Sequence, residues 1–273
     1  MTVLARFIDM SFIGVALSNR RLLWRLTRRD IEGRFRGTRL GVFWAMAAPL
    51  VILSFYTFAF SIIIQPRWQA EVELRSDVAL IYFSGLVLFD FFIECLNRAP
   101  TLMRENQFYI KKMVFPVEVF AYVVLLASSF RLVIGLALLL LVFAVTHGAL
   151  PAGLLLLPVP ILFLALFAIG IVWAVSAFSV YVRDIGPLLL AISPVLMFAS
   201  PVFYPARLIP EPWHTVYMIN PLALPIEWLR AVLFGNDLPG AGISLLYAAG
   251  AIVVAHGGYR LFRRLRVEFA DVL

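Results

Sequence analysis

The amino-acid sequence predicts an all-α integral membrane protein with six transmembrane helices. Of the 273 residues, 63% are hydrophobic and only 14% are charged, whereas soluble domains carry about a quarter charged residues. The mean hydropathy is +0.95, and a core of this size cannot hide so much apolar surface, so lipid must cover the excess. Six long apolar stretches carry the prediction.

Each apolar stretch is long enough for one crossing, because a helix needs about 20 apolar residues to span a hydrocarbon core of about 30 Å. The predicted spans cover about 40–64, 78–96, 119–146, 150–182, 186–206 and 241–259. The fourth begins among prolines and is long, which predicts a tilted span with an interfacial entry. Pro194 and Pro201 predict kinks in the fifth. Small residues in the sixth favour close helix packing.

The basic residues predict the orientation of these spans. Most of the 23 Lys and Arg residues fall before the first span, in the second and fourth connections, and in the C-terminal tail. The opposite side holds only Arg67, Arg75, Arg207 and Arg230. Cytoplasmic loops carry the excess of Lys and Arg, so both termini are expected in the cytoplasm, which agrees with an even number of spans.

Residues 17–36 form a basic segment that predicts an N-terminal amphipathic interface helix. Trp24, Ile31 and Phe35 fall on one helical face, and arginines flank that face. This arrangement is typical of a helix in the cytoplasmic interface, with Trp at headgroup depth and arginines towards anionic lipid. A solvated basic arm is the alternative interpretation.

The segment 207–240 predicts two short re-entrant helices between spans five and six. It is too apolar for a loop in water, yet its five prolines prevent a full crossing. A break at Asn220–Pro221 would let the two helices dip into the outer leaflet and return. Irregular backbone at that depth must be buried in protein or line a water-filled path, so a pathway is indicated.

Three ionisable residues are predicted to lie inside spans. Asp90 and Glu94 share one face of the second span, and Arg131 lies about 20 Å into the third. Charges within a membrane are costly, so pairing or function is expected. A structural ion pair of Arg131 with Asp90 or Glu94 and a proton relay both fit this pattern.

The first span places Trp44, Phe55 and Phe58 on one face. Aromatic faces suit the apolar faces of sugar rings, because they offer broad contact with few fixed hydrogen bonds. Lipid-facing or helix-packing aromatics explain the same spacing, and periodicity alone favours that explanation.

The sequence lacks the motifs that are typical of several other functions. No Gly-x-x-x-x-Gly-Lys-[Ser/Thr] motif precedes Lys111 and Lys112, which are the only lysines, so the chain is expected to bind no ATP in the P-loop manner. His147, His214 and His256 show no metal-ligand spacing, and Cys95 is the single cysteine, so no metal or disulfide is expected. The basic residues lie beside apolar runs, which argues against nucleic acid as a partner.

Three groups of residues together resemble the permease subunits of bacterial ABC exporters for cell-surface polysaccharides, the O-antigen, capsule and teichoic-acid carriers. The first runs from Arg29-Asp30 through Arg39-Leu40-Gly41 to Trp44-Ala45 and Pro49-Leu50. The second comprises Glu105-Asn106-Gln107-Phe108 and Lys111 to Pro116. The third is Ser200-Pro201-Val202-Phe203-Tyr204-Pro205 with Asn220-Pro221-Leu222 and Glu227-Trp228-Leu229-Arg230. Together with the six predicted spans, these groups cover the whole chain in the family's order.

The resemblance implies one transmembrane domain over residues 1–273, in a homodimer with two ABC ATPase subunits that bind ATP and Mg. The substrate would be a lipid-linked polysaccharide, as in lipopolysaccharide or capsule biosynthesis, crossing the bacterial inner membrane. The implied channel residues are Trp44, Phe55, Phe58, Phe198, Phe203 and Tyr204. The implied ATPase-coupling residues are Arg104, Glu105, Asn106, Phe108, Lys111 and Lys112. The permease of a drug or small-lipid ABC exporter and an intramembrane enzyme of glycan synthesis are the alternatives.

Overall fold

The computed structural model describes residues 12–36, 41, 43–59, 63, 75–112, 115–213, 217 and 219–273. Every regular element within these ranges is helical, which confirms the all-α class. The α-helices are α1 Phe12–Ser18, α2 Arg20–Phe35, α3 Phe43–Phe58, α4 Arg75–Arg98, α5 Leu102–Glu105, α6 Gln107–Lys112, α7 Val119–His147, α8 Pro158–Tyr181, α9 Ile185–Ala199, α10 Ala223–Phe234, α11 Ala241–Leu265 and α12 Phe269–Val272.

Four helical stretches in the described ranges are long and apolar enough to cross a membrane. They are Asp77–Glu105, Val119–His147, Gly153–Tyr181 and Ala241–Val272, and they match predicted spans two, three, four and six. Helix α3 has 16 residues within the first predicted span, and the rest of that span is partly outside the described residues. Helix α9, within the fifth, is a shorter apolar helix of 15 residues.

Several helix ends differ from the predicted ends of the spans. The fifth span was predicted to reach Ala206, but α9 ends at Ala199 because Ser200 adopts extended backbone immediately before Pro201. Pro201 therefore ends the helix instead of kinking it, while Pro194 does lie inside. Helix α11 continues to Leu265, six residues past its predicted end. A 3₁₀ turn, Ala152–Leu156, precedes α8. Pro158 lies in the first turn of α8, where its missing N–H costs no backbone hydrogen bond within the helix.

Helices α8 and α11 form the most extensive helix pair in the described structure. Their backbones touch at a glycine crossing: a Cβ atom built on Gly258 would lie 2.0 Å from the Gly170 carbonyl oxygen, and one on Gly170 would lie 2.5 Å from the Val254 carbonyl oxygen. Only hydrogen fits at both positions. The small residues of the last span therefore pack within the protomer, as small-residue helix interfaces in membranes do.

Helix α4 lies at the centre of the bundle. It packs against α7, α8, α3, α10 and α9, and Tyr82, Leu88 and Phe91 on it are almost fully buried. The charged residues Asp90 and Glu94 therefore lie on the most enclosed helix. Charged groups on such a helix are costly unless groups of opposite charge are paired with them.

Helix α2 packs against α7 and confirms the helix predicted for residues 17–36, although α1 and α2 are separate helices that meet at Asn19. Leu23, Leu26 and Thr27 are buried, whereas 69% of Trp24 is exposed. The Trp24 face therefore points away from the protein, where lipid is expected. Helices α2, α5, α6 and α12 lie at one end of the bundle, which we call the α2 end.

The opposite end contains α10 and the turn that follows α9. Helix α10 packs on α4, on α8 and on the 3₁₀ turn Ala152–Leu156, and it lies in the part of the chain for which the second short helix was predicted. Two 3₁₀ turns, Ala206–Leu208 and Glu211–Trp213, precede it. The rest of the first predicted re-entrant helix falls largely on residues 214–216 and 218, which are outside the described ranges.

Candidate functional site

The aromatic side chains predicted on the first span are exposed on the protomer surface. Trp44, Phe55 and Phe58 are 47%, 66% and 51% exposed. Pro49 lies inside the same helix, where it removes one backbone hydrogen bond and favours a bend. The exposed face of α3 is thus available to lipid or to a second protein surface.

The second predicted aromatic group brackets the turn after α9. Phe198 is exposed, and its ring centroid lies 5.5 Å from that of Phe203. Phe203 is only 6% exposed and packs against Tyr82 of α4, with ring centroids 6.0 Å apart. The Tyr204 hydroxyl donates a hydrogen bond to the Phe198 carbonyl at 2.9 Å. Phe203 therefore anchors the turn, and Phe198 is the member of this group that is presented outward.

Arg230 holds this turn on α4. In the sequence it is one of the outer basic residues and the last residue of the Glu227-Trp228-Leu229-Arg230 motif, and no structural role was predicted for it. Its buried guanidinium donates hydrogen bonds to the carbonyls of Ile81, Val202 and Tyr204 at 3.0–3.1 Å. It also contacts Glu227 at 3.1 Å. Burial lowers the pKa of Arg230, and Glu227 opposes this shift.

Asn220 links the same turn to α10. Its amide donates hydrogen bonds to the Ala199 carbonyl and the Ser200 hydroxyl, and its side-chain oxygen accepts from the Leu222 amide at 2.9 Å. The Tyr247 hydroxyl of α11 donates to the Pro221 carbonyl. The Asn-Pro-Leu motif is therefore a junction between the end of α9, the start of α10 and α11.

The predicted ATPase-coupling residues form two short helices, α5 and α6, which meet at Asn106. The Asn106 side chain donates to the Leu102 carbonyl at 2.9 Å, and Arg104 donates to the Pro100 carbonyl at 3.4 Å. The first contact lies within the segment at its bend, and the second ties the segment to the 3₁₀ turn Ala99–Thr101 that precedes it. Residues Glu105, Phe108 and Lys111 are exposed, and the side chain of Lys112 is outside the described set.

Tyr109 attaches the coupling segment to the bundle. Its ring lies 5.1 Å from that of Phe115 and 5.8 Å from that of Phe120 on α7, and its hydroxyl accepts a hydrogen bond from Arg29 of α2 at 3.1 Å. Phe108 contacts the Tyr109 ring edge-on and directs most of its own surface outward. One tyrosine thus connects α6 to both α2 and α7.

The C-terminal segment supports the coupling segment from the other side. Helix α12 packs on α6, and Phe269 is fully buried against Phe262. Arg266 forms an ion pair with the buried carboxylate of Glu118, just before α7. From the sequence, this tail was expected only to add positive charge on the cytoplasmic side.

An ion-pair chain of five residues joins α2, α4 and α7. Arg98 contacts Asp30 at 2.7 and 3.1 Å, Asp30 contacts Arg34 at 3.2 Å, and Arg34 contacts Glu94. Glu94 in turn contacts Arg131 at 3.1 Å. The predicted pairing of Arg131 with a carboxylate of α4 is therefore present, with Glu94 as the partner.

Asp90 lies one helical turn from Glu94 and does not belong to the ion-pair chain. Among the residues that the structure describes, Asp90 forms no ion pair or hydrogen bond. Asp90, Glu94 and Arg131 line the same cleft, which Pro49 and Ile52 of α3 close on another side. The charges of α4 and α7 thus face the first span.

Three residues of the ion-pair chain, Asp30, Arg34 and Arg98, were not predicted as site residues. Asp30 and Arg34 have the spacing of a helical ion pair, but Glu94 and Arg98 lie 60 and 68 positions from their α2 partners. Only the packing of α2 brings them together. Within the described ranges, no group of three or more His, Cys, Asp or Glu residues could hold a metal ion.

Apolar helices of spanning length, arranged around a charged interior helix, define a multi-pass membrane protein. The model of the ABC-2 type transporter family matches residues 21–234, most of the chain, and the protein belongs to this family. Over 255 residues it is 24% identical to the O-antigen export system permease protein RfbA of Myxococcus xanthus, covering 92% of this chain and 95% of that protein. A Klebsiella pneumoniae protein of the same name is 24% identical over 254 residues, with the same coverage.

Family membership makes this chain a transport subunit and implies a partnership with ABC ATPase subunits. The resemblance stated from the sequence motifs is thereby confirmed at the level of the family. The alternative of an intramembrane enzyme of glycan synthesis is wrong, because the matched family consists of transporters. The matched residues 21–234 include all of α3 to α10 and all but the first residue of α2.

Proposed function

We propose that this chain is the channel-forming transmembrane subunit of an ATP-driven exporter. It moves a lipid-linked polysaccharide of the O-antigen or capsule type across the bacterial cytoplasmic membrane. The observation that carries this proposal is the likeness, over 92% of the chain, to proteins named as O-antigen export permeases. A similarity of that extent includes the spans, the coupling segment and the outer turn together.

The exporter contains two copies of this chain and two ABC ATPase subunits, which bind ATP and Mg. Each copy crosses the membrane six times with both termini in the cytoplasm, and the chain itself binds no cofactor. The clustering of basic residues before the first span, at the α2 end and in the tail supports this orientation. Helices α3 and α9 complete the six spans with the four longer ones.

The polysaccharide path runs beside α3 and α9 of each protomer. Exposed aromatic rings on both helices support this placement, with Trp44, Phe55 and Phe58 on α3 and Phe198 on α9. A ring face offers contact area without fixed hydrogen bonds, so a polymer can slide along it. Phe203 and Tyr204 shape the outer end of this path by holding the turn after α9.

The coupling segment at the α2 end receives the movement of the ATPases. Its outward side chains, Glu105, Phe108 and Lys111, provide an apolar anchor between two opposite charges. Its inner side is fixed to α2 and α7 through Tyr109 and to the C-terminal helix α12. A movement of α6 is therefore transmitted to α2, α7 and α12 together.

Deletion of the gene in a strain without a second copy tests the proposal. We expect loss of the surface polysaccharide, restored by the wild-type chain but not by a chain with Trp44, Phe55 and Phe58 all changed to Ala. Leu155, which is 91% exposed at the opposite end of the bundle, provides the control substitution Leu155→Ala. Undiminished surface polysaccharide after deletion would contradict the proposal and favour a drug or small-lipid substrate.

A further inference from the structure

The ion-pair chain Arg98–Asp30–Arg34–Glu94–Arg131 is short of one negative charge. It contains three guanidinium groups and two carboxylates, and each carboxylate contacts two arginines. Ionised groups within a membrane bundle are expected to be balanced by opposite charges. Asp90 would supply the missing charge, and it lines the same cleft as Glu94 and Arg131.

Asp90 and Glu94 are alternative partners for Arg131. They are separated by one turn of α4, which is about 6 Å along the helix axis, a distance that a long arginine side chain spans by changing rotamers. In this structure Arg131 contacts Glu94 through one guanidinium nitrogen at 3.1 Å. Its side chain is 42% exposed, so space for such a movement exists.

Arg34 shares Glu94 with Arg131, each guanidinium contacting a different carboxylate oxygen. It belongs to α2, the helix that Tyr109 connects to the coupling segment through Arg29. A guanidinium that binds both oxygens of a carboxylate forms the stronger, two-pronged pair. A shift of α2 that gives Arg34 both oxygens of Glu94 would displace Arg131 from Glu94.

We propose that Arg131 exchanges from Glu94 to Asp90 during transport and thereby transmits a movement of α2 to α3. Pro49 and Ile52 of α3 form one wall of the cleft in which the exchange takes place. Pro49 weakens the helix at that level, so α3 can bend there when the guanidinium moves. Asp90 is a positioning residue in this proposal, acting on the first span through Arg131.

The proposal goes beyond the proposed function, because it concerns the response of α3 to nucleotide and not the identity of the polymer. A fluorophore sensitive to its surroundings, attached at Ser54→Cys, reports that response. Ser54 is exposed on α3, and Cys95 is buried and remains unlabelled. The measurement uses the full chain with its ATPase subunits in lipid nanodiscs, with and without ATP trapped.

We expect trapped ATP to shift the emission of the labelled protein, and Asp90→Asn to abolish the shift without loss of assembly. Asp90→Glu retains the carboxylate and should retain the shift. The double variant Arg28→Gln and Glu32→Gln removes an exposed ion pair from the same α2 helix and should also retain it. If Asp90 had no part in the response, Asp90→Asn would leave the shift unchanged, since Asp90 forms no ion pair among the residues that the structure describes.

Four results would overturn the proposal: an unchanged shift in Asp90→Asn, no shift in the labelled parent, loss of the shift in Asp90→Glu, or failure of Asp90→Asn to assemble. The last result would place Asp90 in the resting framework. Failure of the proposed function is distinguished separately, because it appears as unchanged surface polysaccharide after gene deletion.

Discussion

Arg98 at the end of α4 forms a two-pronged ion pair with Asp30 of α2, with nitrogen–oxygen distances of 2.7 and 3.1 Å. This geometry is the strongest that an arginine and a carboxylate can adopt. It fixes the amphipathic helix α2 to the most buried helix of the bundle. The pair holds α2 against α4 at Arg98, and Arg34, one turn further along α2, contacts Glu94 of the same helix.

Asp30→Asn should lower the free energy of unfolding by about 1 kcal/mol, the usual scale of polar contacts between helices in membranes. The substitution leaves Arg98 and Arg34 without the carboxylate that they share. Thermal unfolding of the detergent-purified chain measures the change. Glu32→Gln is the control, because Glu32 forms an exposed pair with Arg28. Equal midpoints for the two variants would contradict the assigned role of Asp30.

Gly258→Ala should destabilise the protein by about 1–3 kcal/mol, the range for overpacking of a close contact. The added methyl group would lie 2.0 Å from the Gly170 carbonyl oxygen and would force α8 and α11 apart. The neighbouring Gly257 is the matched control, since a Cβ there meets nothing within 4 Å. Thermal unfolding of both variants checks the prediction. Similar losses of stability in the two variants would contradict the close contact of α8 and α11 at Gly258.

Arg230→Lys should reduce export even though the charge is kept. The guanidinium reaches five acceptors through three separate nitrogens, whereas an ammonium group has three N–H donors on a single nitrogen, so part of this network must be lost. The turn after α9 should then loosen, which faster hydrogen exchange of residues 200–205 would report. Arg260→Lys, at an exposed position of α11, serves as control. Unchanged exchange in Arg230→Lys would show that the turn is held by other contacts.

Phe108→Ala should weaken ATPase association at least tenfold, or about 1.4 kcal/mol, with little change in stability. Large aromatic side chains dominate binding where they are buried by a partner, and Phe108 is more than half exposed in the isolated chain. Retention of the ATPase on the immobilised permease measures the effect. Tyr109→Ala is the contrast, because it should destabilise the chain itself through lost contacts with Phe115 and Phe120.

The features that could be predicted from the sequence are those that depend on residues close together along the chain. Apolar length predicted α4, α7, α8 and α11, because the cost of exposing backbone in lipid fixes where a helix is needed. The cost of an intramembrane charge predicted a partner for Arg131, and Glu94 is that partner. These inferences use only local properties of the chain.

Contacts between distant segments were not predictable in the same way. The pairs Arg34–Glu94 and Asp30–Arg98 depend on how α2 lies against the bundle, which no periodic pattern specifies. Arg230 appeared to be an outer basic residue because its five acceptors include backbone carbonyls, which leave no trace in side-chain patterns. The end of α9 was misplaced because apolar residues continue past Ser200 after the helix has stopped.

The location of the lipid-linked polysaccharide tests the central claim most directly. Cells are prepared in which this chain is assembled with ATPase subunits that bind but do not hydrolyse ATP. Intact and permeabilised cells are then treated with a glycan-degrading enzyme that does not cross the membrane. We predict normal amounts of polymer, protected in intact cells and degraded only after permeabilisation. Polymer that is fully accessible on intact cells would contradict export through this protein.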